Sequence, residues 1–141
     1  MYRIELIEPE KIEVTIPFIQ LLDKSLGEDV LKLRLPEMVK NNYLCVGAYD
    51  NDRLIGISGL WVLYKYYIGK HIEPDNVVIH PDYRGKGIGE LLAKWIDNYA
   101  IETGCAAANL NAYTTNSSAI KFWLNQGYKI ISFHFQKKYI E

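Results

Sequence analysis

Apolar and polar positions along this chain change period several times, and the changes mark its elements. Residues 2–7, YRIELI, alternate and predict a first strand. In PFIQLLDKSLG the apolar side chains recur at helical spacing behind Pro17, which suits a first helical turn, and Gly27 predicts the stop. EDVLKLRLPEMVKNN predicts a second short helix, broken or restarted at Pro36. YLCVGAYD and RLIGISGLWVLYKYY flank the turn DNDR and predict a β-hairpin. EPDNVVI, entered after the turn-like IGK, predicts the next strand. From Gly87 the period lengthens: Ile88, Leu91, Leu92, Trp95, Ile96 and Tyr99 share one helical face, and Gly104 supplies a left-handed end. CAAANLNAY predicts a further strand. Asn116 or Ser117 then caps a helix carrying Ile120, Phe122 and Trp123, which Gly127 ends. YKIISFHFQKKY alternates as a last strand or a broken pair. The order is strand, two helices, hairpin, strand, helix, strand, helix, strand. That order predicts a mixed α/β sheet with helices on both faces.

Size and charge narrow the chemistry. The 141 residues suit a single domain over 1–141, with enough apolar side chains (49%) for a core. With 16 Lys and Arg against 17 Asp and Glu, the net charge of −1 gives no general pull toward nucleic acid or an anionic membrane. Anion binding must therefore be local. No apolar run approaches the roughly 20 residues of a membrane span, and MYRIELIEPE lacks the basic-then-apolar order of a signal peptide. Cys45 and Cys105 fit no metal or redox spacing, so no metal site is expected, and reduced thiols in a cytoplasmic protein are.

The segment HPDYRGKGIGELL, residues 80–92, concentrates three glycines between a strand and a helix, with Arg84 and Lys86 among them. A helix N-terminus offers unpaired N–H groups and a partial positive charge, and glycines let an anion approach without meeting a Cβ. The P-loop pattern fails, because no Ser or Thr follows a Gly-Lys pair. The dinucleotide fingerprint fails on spacing and on position in the chain. The pattern R/Q-x-x-G-x-G/A after a strand fits completely, through Arg84, Gly87 and Gly89.

With this motif, and with NSSAIKFWLNQGYK resembling a C-terminal N-x-x-A-x-x-F-Y-x-x-x-G-[FY] pattern, the chain resembles the GNAT (Gcn5-related N-acetyltransferase) superfamily over nearly its whole length. The resemblance implies a mostly antiparallel sheet, splayed between the fourth and fifth strands. It implies acetyl-CoA as cosubstrate, with the pantetheine arm along Val77, Val78 and Ile79. The pyrophosphate would then lie on the amides of Arg84, Gly85, Lys86, Gly87, Ile88, Gly89 and Glu90, and Asn116 would be a further cofactor contact. The acceptor would be a small-molecule or peptide amine, and a homodimer is compatible with the family.

Amine acetylation needs a proton acceptor, since an alkylammonium of pKa roughly 10 cannot attack. It also needs a donor for the thioester oxygen, which the main chain of Val77 or Val78 supplies, and a route for the leaving thiolate. By the family likeness the base is Glu73, six residues before Ile79; Asp75 shares its parity on the strand. The family's general-acid tyrosine is replaced by Trp123, whose indole releases no useful proton. Tyr113 is the substitute, with Tyr128 as an alternative. Tyr64, Tyr66 and Tyr67 read either as an amine-binding aromatic group or as strand residues filling a sheet face. The competing reading of the whole chain is a non-catalytic acyl-CoA-binding module, with Trp123 as the mark of lost acid chemistry.

Overall fold

The computed structural model describes residues 1–140. In chain order it contains β1 (Tyr2–Leu6), a 3-10 segment (Pro9–Thr15), α1 (Ile16–Leu22), α2 (Glu28–Lys40), β2 (Tyr43–Asp50) and β3 (Arg53–Lys65). These are followed by β4 (Gly69–Ile79), a second 3-10 turn (Pro81–Tyr83), α3 (Ile88–Glu102), β5 (Ala107–Ala108) and α4 (Ser117–Asn125). The chain divides after Asn109 into two compact units.

In the first unit the sheet runs β1-β2-β3-β4-β5, antiparallel throughout except for the parallel β4–β5 pair. Side chains alternate between its faces, so each face carries its own core. On one face Ile12, Ile16, Phe18, Leu31 and Leu35, from the 3-10 segment, α1 and α2, pack on Tyr43, Cys45, Ile57 and Val78. On the other, Ile88, Leu92, Ile96 and Ala100 of α3 pack on Val46, Ala48, Ile55, Leu60 and Ile72. Helices thus cover both faces, as the periodicity predicts.

Local stop signals hold where expected. Gly104 (φ +81°) follows α3, Gly127 (φ +96°) follows α4, and Asn51 (φ +56°) turns the β2–β3 hairpin. Four boundaries differ. α1 ends at Leu22 rather than at Gly27, because the Asp23 carboxylate accepts from the Ser25 N–H (3.0 Å) and hydroxyl (2.6 Å), a local turn that outcompetes another helical turn. Gly27 instead precedes α2 as its N-cap. α2 runs through Pro36, its lost main-chain bond offset by burial of Leu31 and Leu35 on the sheet. β4 begins at Gly69, four residues earlier than the composition suggests, and β5 is only two residues long.

Gly59 on β3 has a packing reason: a Cβ there would overlap the Tyr43 hydroxyl and ring. Tyr43 in turn lies 4.9 Å from Trp61, centroid to centroid. Gly59→Ala is expected to lower stability by about 1–3 kcal/mol, the usual cost of overpacking, read by thermal or urea unfolding.

In the second unit α4 is capped by Asn116, whose Oδ1 accepts from the Ala119 N–H at 3.1 Å and the Ser118 hydroxyl at 3.2 Å. Residues 128–140 carry no strand within this unit. Alternation there expresses a face, and a strand is made only by the partner it pairs with.

Candidate active site

β4 carries four of the predicted residues, Glu73, Val77, Val78 and Ile79. Its register against β3 slips between Ser58 and Gly59: Val77 lies opposite Ser58 and Asp75 opposite Gly59, leaving Asn76 as the extra residue, at φ +61°. This bulge exchanges the two edges of the strand. Before it, Lys70 and Ile72 turn their carbonyls to the β5 side, accepting from Ala106 N–H (2.8 Å) and Asn109 N–H (2.9 Å). After it, His80 N–H donates to Ile55 O on β3 (2.8 Å), and its neighbour two residues back, Val78, shares that direction. The main-chain groups of Val77 and Ile79 therefore point to the opposite edge. β5 pairs with β4 only at His71 and Ile72, so beyond them the register joins β4 to β3 alone. This is the expected splay. One assignment changes with it: Val78 spends its main-chain groups on β3 and its side chain in the core (7% exposed), so it is not placed to bind a ligand along the open edge.

The glycine segment follows directly. The turn Pro81–Tyr83 is held by the Tyr83 hydroxyl donating to Asp50 Oδ2 at 2.6 Å, and Arg84 Nε–H donates to Ile79 O at 3.3 Å. The bond to Asp50 raises the Tyr83 phenol above its ordinary pKa. Gly85 (φ +75°) and Gly87 (φ +78°) both adopt left-handed backbone, and a Cβ on either would meet no protein atom within 4 Å. α3 starts at Ile88; Leu91 N–H is the first to bond back to Gly87 O, at 3.2 Å, so the amides before it point out of the helix. Arg84 and Lys86 are exposed, and the Lys86 ammonium lies 5.2 Å from the Tyr83 ring centroid. Ile88 leaves only its amide open to a ligand, since its side chain is 1% exposed. Gly89 and Glu90 complete the first turn. Open left-handed backbone, helix N–H groups and two cations suit a diphosphate, so the residues present fit coenzyme A.

Glu73 and Asp75 share the face covered by α1 and α2, as their parity predicts, for Glu73 lies opposite Trp61 in the β3 register. Trp61 Nε1–H donates to Asp75 Oδ2 at 3.0 Å. The Glu73 side chain is 21% exposed, and its Oε2 lies 2.9 Å from Nε2 of a fully buried His71. His71 is not among the residues to which the sequence pattern points. The available signal was the His-Ile-Glu spacing, which on a strand puts both side chains on one face. On the same face, burial pushes the Cys45 thiol up to about 12 and raises the Tyr43 phenol, so neither serves as a nucleophile or base at neutral pH. Tyr64 near the end of β3, and Tyr66 and Tyr67 in the turn that follows, are all exposed, which removes the sheet-filling reading.

In the second unit, Tyr113 precedes α4, its carbonyl accepting from Asn116 N–H at 3.0 Å. Trp123 is buried edge-on between Phe122 (5.0 Å) and Tyr128 (5.2 Å), a packing role.

Residues 11–128 match the family model described as Acetyltransferase (GNAT) family. The chain belongs to this family. Among curated proteins it is 26% identical over 81 residues to a thialysine N-epsilon-acetyltransferase of Sus scrofa, covering 57% of this chain and 48% of that protein. It is 29% identical over 91 residues to an aminoalkylphosphonate N-acetyltransferase of Salmonella typhimurium, covering 64% and 59% respectively. The chain thus spans about half the length of these two relatives. In fold it is similar to the aminoglycoside N-acetyltransferase AAC(6')-Iy in complex with CoA (TM-score 0.85, 14% identity, 99% of this chain and 96% of that one). It is also similar to glucosamine-6-phosphate N-acetyltransferase from Arabidopsis thaliana (TM-score 0.74, 17% identity, 99% of each).

Proposed function

We propose that this GNAT family member transfers an acetyl group from acetyl-CoA to a primary amine, which attacks directly within a ternary complex. The observation that carries the reading is the left-handed glycine cradle at the start of α3, set beside the open edge of β4. In this reading the amides and cations of residues 84–90 hold the diphosphate. Val77 N–H, directed to the open edge, donates to the thioester oxygen as that oxygen gains charge; Ile79 continues the edge toward the cradle. Glu73 takes the proton of the ammonium. Asn116, with its Oδ1 committed to capping α4, has Nδ2 left to donate to the cofactor, and Tyr113 returns a proton to the leaving sulfur. A thiol of pKa roughly 8.5 also leaves tolerably as its anion, so the tyrosine is an aid more than a requirement.

The relatives named for thialysine and aminoalkylphosphonate acetylation support an amine acceptor, either a small molecule or an amine on a peptide. A cytoplasmic setting and a homodimer belong to the same proposal. Among the described residues no helix is long and apolar enough to cross a membrane.

The test is thiol release from acetyl-CoA in the presence of an amine panel, alongside calorimetry with coenzyme A. Turnover with any amine supports the enzyme. Heat of binding without turnover supports the non-catalytic module, the reading that the buried Trp123 at the acid position favours. Absence of heat at millimolar coenzyme A removes both. If transfer proceeds without an acid at position 123, Trp123→Phe is expected to keep kcat within about twofold of wild type, since indole and benzene rings alike supply no proton.

A further inference from the structure

We infer that His71 is a positioning residue that fixes Glu73 as the proton acceptor; the inference rests on the reading of Glu73 as the base. The His71 side chain is fully buried, with its ring between two acceptors, Glu73 Oε2 at 2.9 Å and Gly69 O at 3.4 Å. Among the described residues its ring makes no other hydrogen bond or ion pair. The residues opposite it in the register are Leu63 on β3 and Ala107 on β5, and α3 covers the other face. Asp75 on β4 is engaged by Trp61 Nε1.

That geometry determines where a proton sits. A carboxylate accepts only, so the short contact requires hydrogen on Nε2, whether or not Nδ1 also carries one. Oε2 of Glu73 is thereby occupied, and Oε1 is the oxygen left to receive the amine proton. A glutamate side chain otherwise samples several rotamers, and an acceptor displaced by about 1 Å costs on the order of 100-fold in rate. A buried imidazole needs a partner for its N–H whatever its role; here that partner is the carboxylate read as the base, whereas an apolar residue of similar volume would serve packing without it.

The experiment uses the whole chain and four variants: His71→Leu, His71→Gln, Glu73→Gln and the pair His71→Leu with Glu73→Gln. His71→Leu removes the donor and is expected to lower kcat by about 10- to 100-fold while leaving KM for acetyl-CoA unchanged, because the cradle is untouched. His71→Gln keeps an N–H donor on the same strand position and is expected to recover most of that loss. In the Glu73→Gln background, His71→Leu should cost nothing further, since both act through one carboxylate. Nitrogen-15 shifts of the His71 ring, measured on the free protein, should show a protonated Nε2.

Wild-type kcat in His71→Leu, multiplicative losses in the pair, or a ring protonated only at Nδ1 would each overturn the inference. If His71→Leu fails to fold, the glutamine variant and the ring tautomer still decide it. Should Glu73→Gln itself keep wild-type kcat, the base assignment falls, and the inference with it. A large loss in Glu73→Gln with none in either His71 variant removes the positioning role alone.

Discussion

Glu73→Gln is expected to lower kcat by about 100- to 10,000-fold, the range that a well-placed general base contributes. Glutamine has the same length and presents an oxygen to the His71 Nε2–H, so the fold and the buried ring keep their partner. What disappears is the capacity to accept a proton. At neutral pH an alkylamine of pKa roughly 10 is almost entirely protonated, so the variant must wait for solution to deprotonate it. Its rate should therefore climb about tenfold per pH unit below the amine's pKa. Wild type, which removes that proton itself, should show a shallower rise. Steady-state kinetics over pH 6 to 9, as thiol release, read both effects, and parallel profiles would remove Glu73 from the chemistry. KM for acetyl-CoA should stay as in wild type, since Glu73 lies on the face that α1 and α2 cover and the cradle is formed by residues 84–90.

Gly87→Ala is expected to weaken coenzyme A binding by about 10- to 100-fold, which corresponds to roughly 1.4–2.8 kcal/mol. The residue sits at φ +78°, ψ +11°, a conformation that costs an L-residue about 1–2 kcal/mol. No protein atom lies within 4 Å of the added methyl, so the chain folds without a clash; in the proposed reading that open space is the diphosphate's. Gly104→Ala provides the control. At φ +81° it carries the same backbone strain in equally open space, but it follows the other end of α3. It should lose similar stability in a thermal melt and leave calorimetric affinity unchanged. Equal loss of affinity in both variants would trace the effect to general strain and remove the cradle assignment.

Much of the helical architecture was legible because its signals are local. Gly104 and Gly127 end helices through a backbone conformation that only their own φ determines, and Asn116 caps α4 with its own side chain. The glycine segment was legible for the same reason. Its chemistry resides in main-chain groups whose geometry is encoded by which residues lack a Cβ.

Strand ends were less legible. Lys70 and His71 carry no strong strand signal, but they belong to β4 because β3 pairs with them residue by residue. A strand begun at Glu73 leaves His71 outside it, and so separates it from the carboxylate it touches. β5 shows the converse. CAAANLNAY has the composition of a strand, yet only Ala107 and Ala108 find β4 before the two diverge.

The order of elements as far as α4, the two apolar faces, the left-handed glycine turn and the parity of Glu73 with Asp75 were determined by the amino-acid sequence alone, because each depends on residues within a few positions of one another. Tertiary structure decided which oxygen of Glu73 is occupied and which of two adjacent valines turns its N–H to the open edge. Both follow from β4's alignment on β3, where one extra residue at Asn76 reverses the direction of every main-chain group beyond it. No periodicity within β4 carries that reversal. It exists only between two strands.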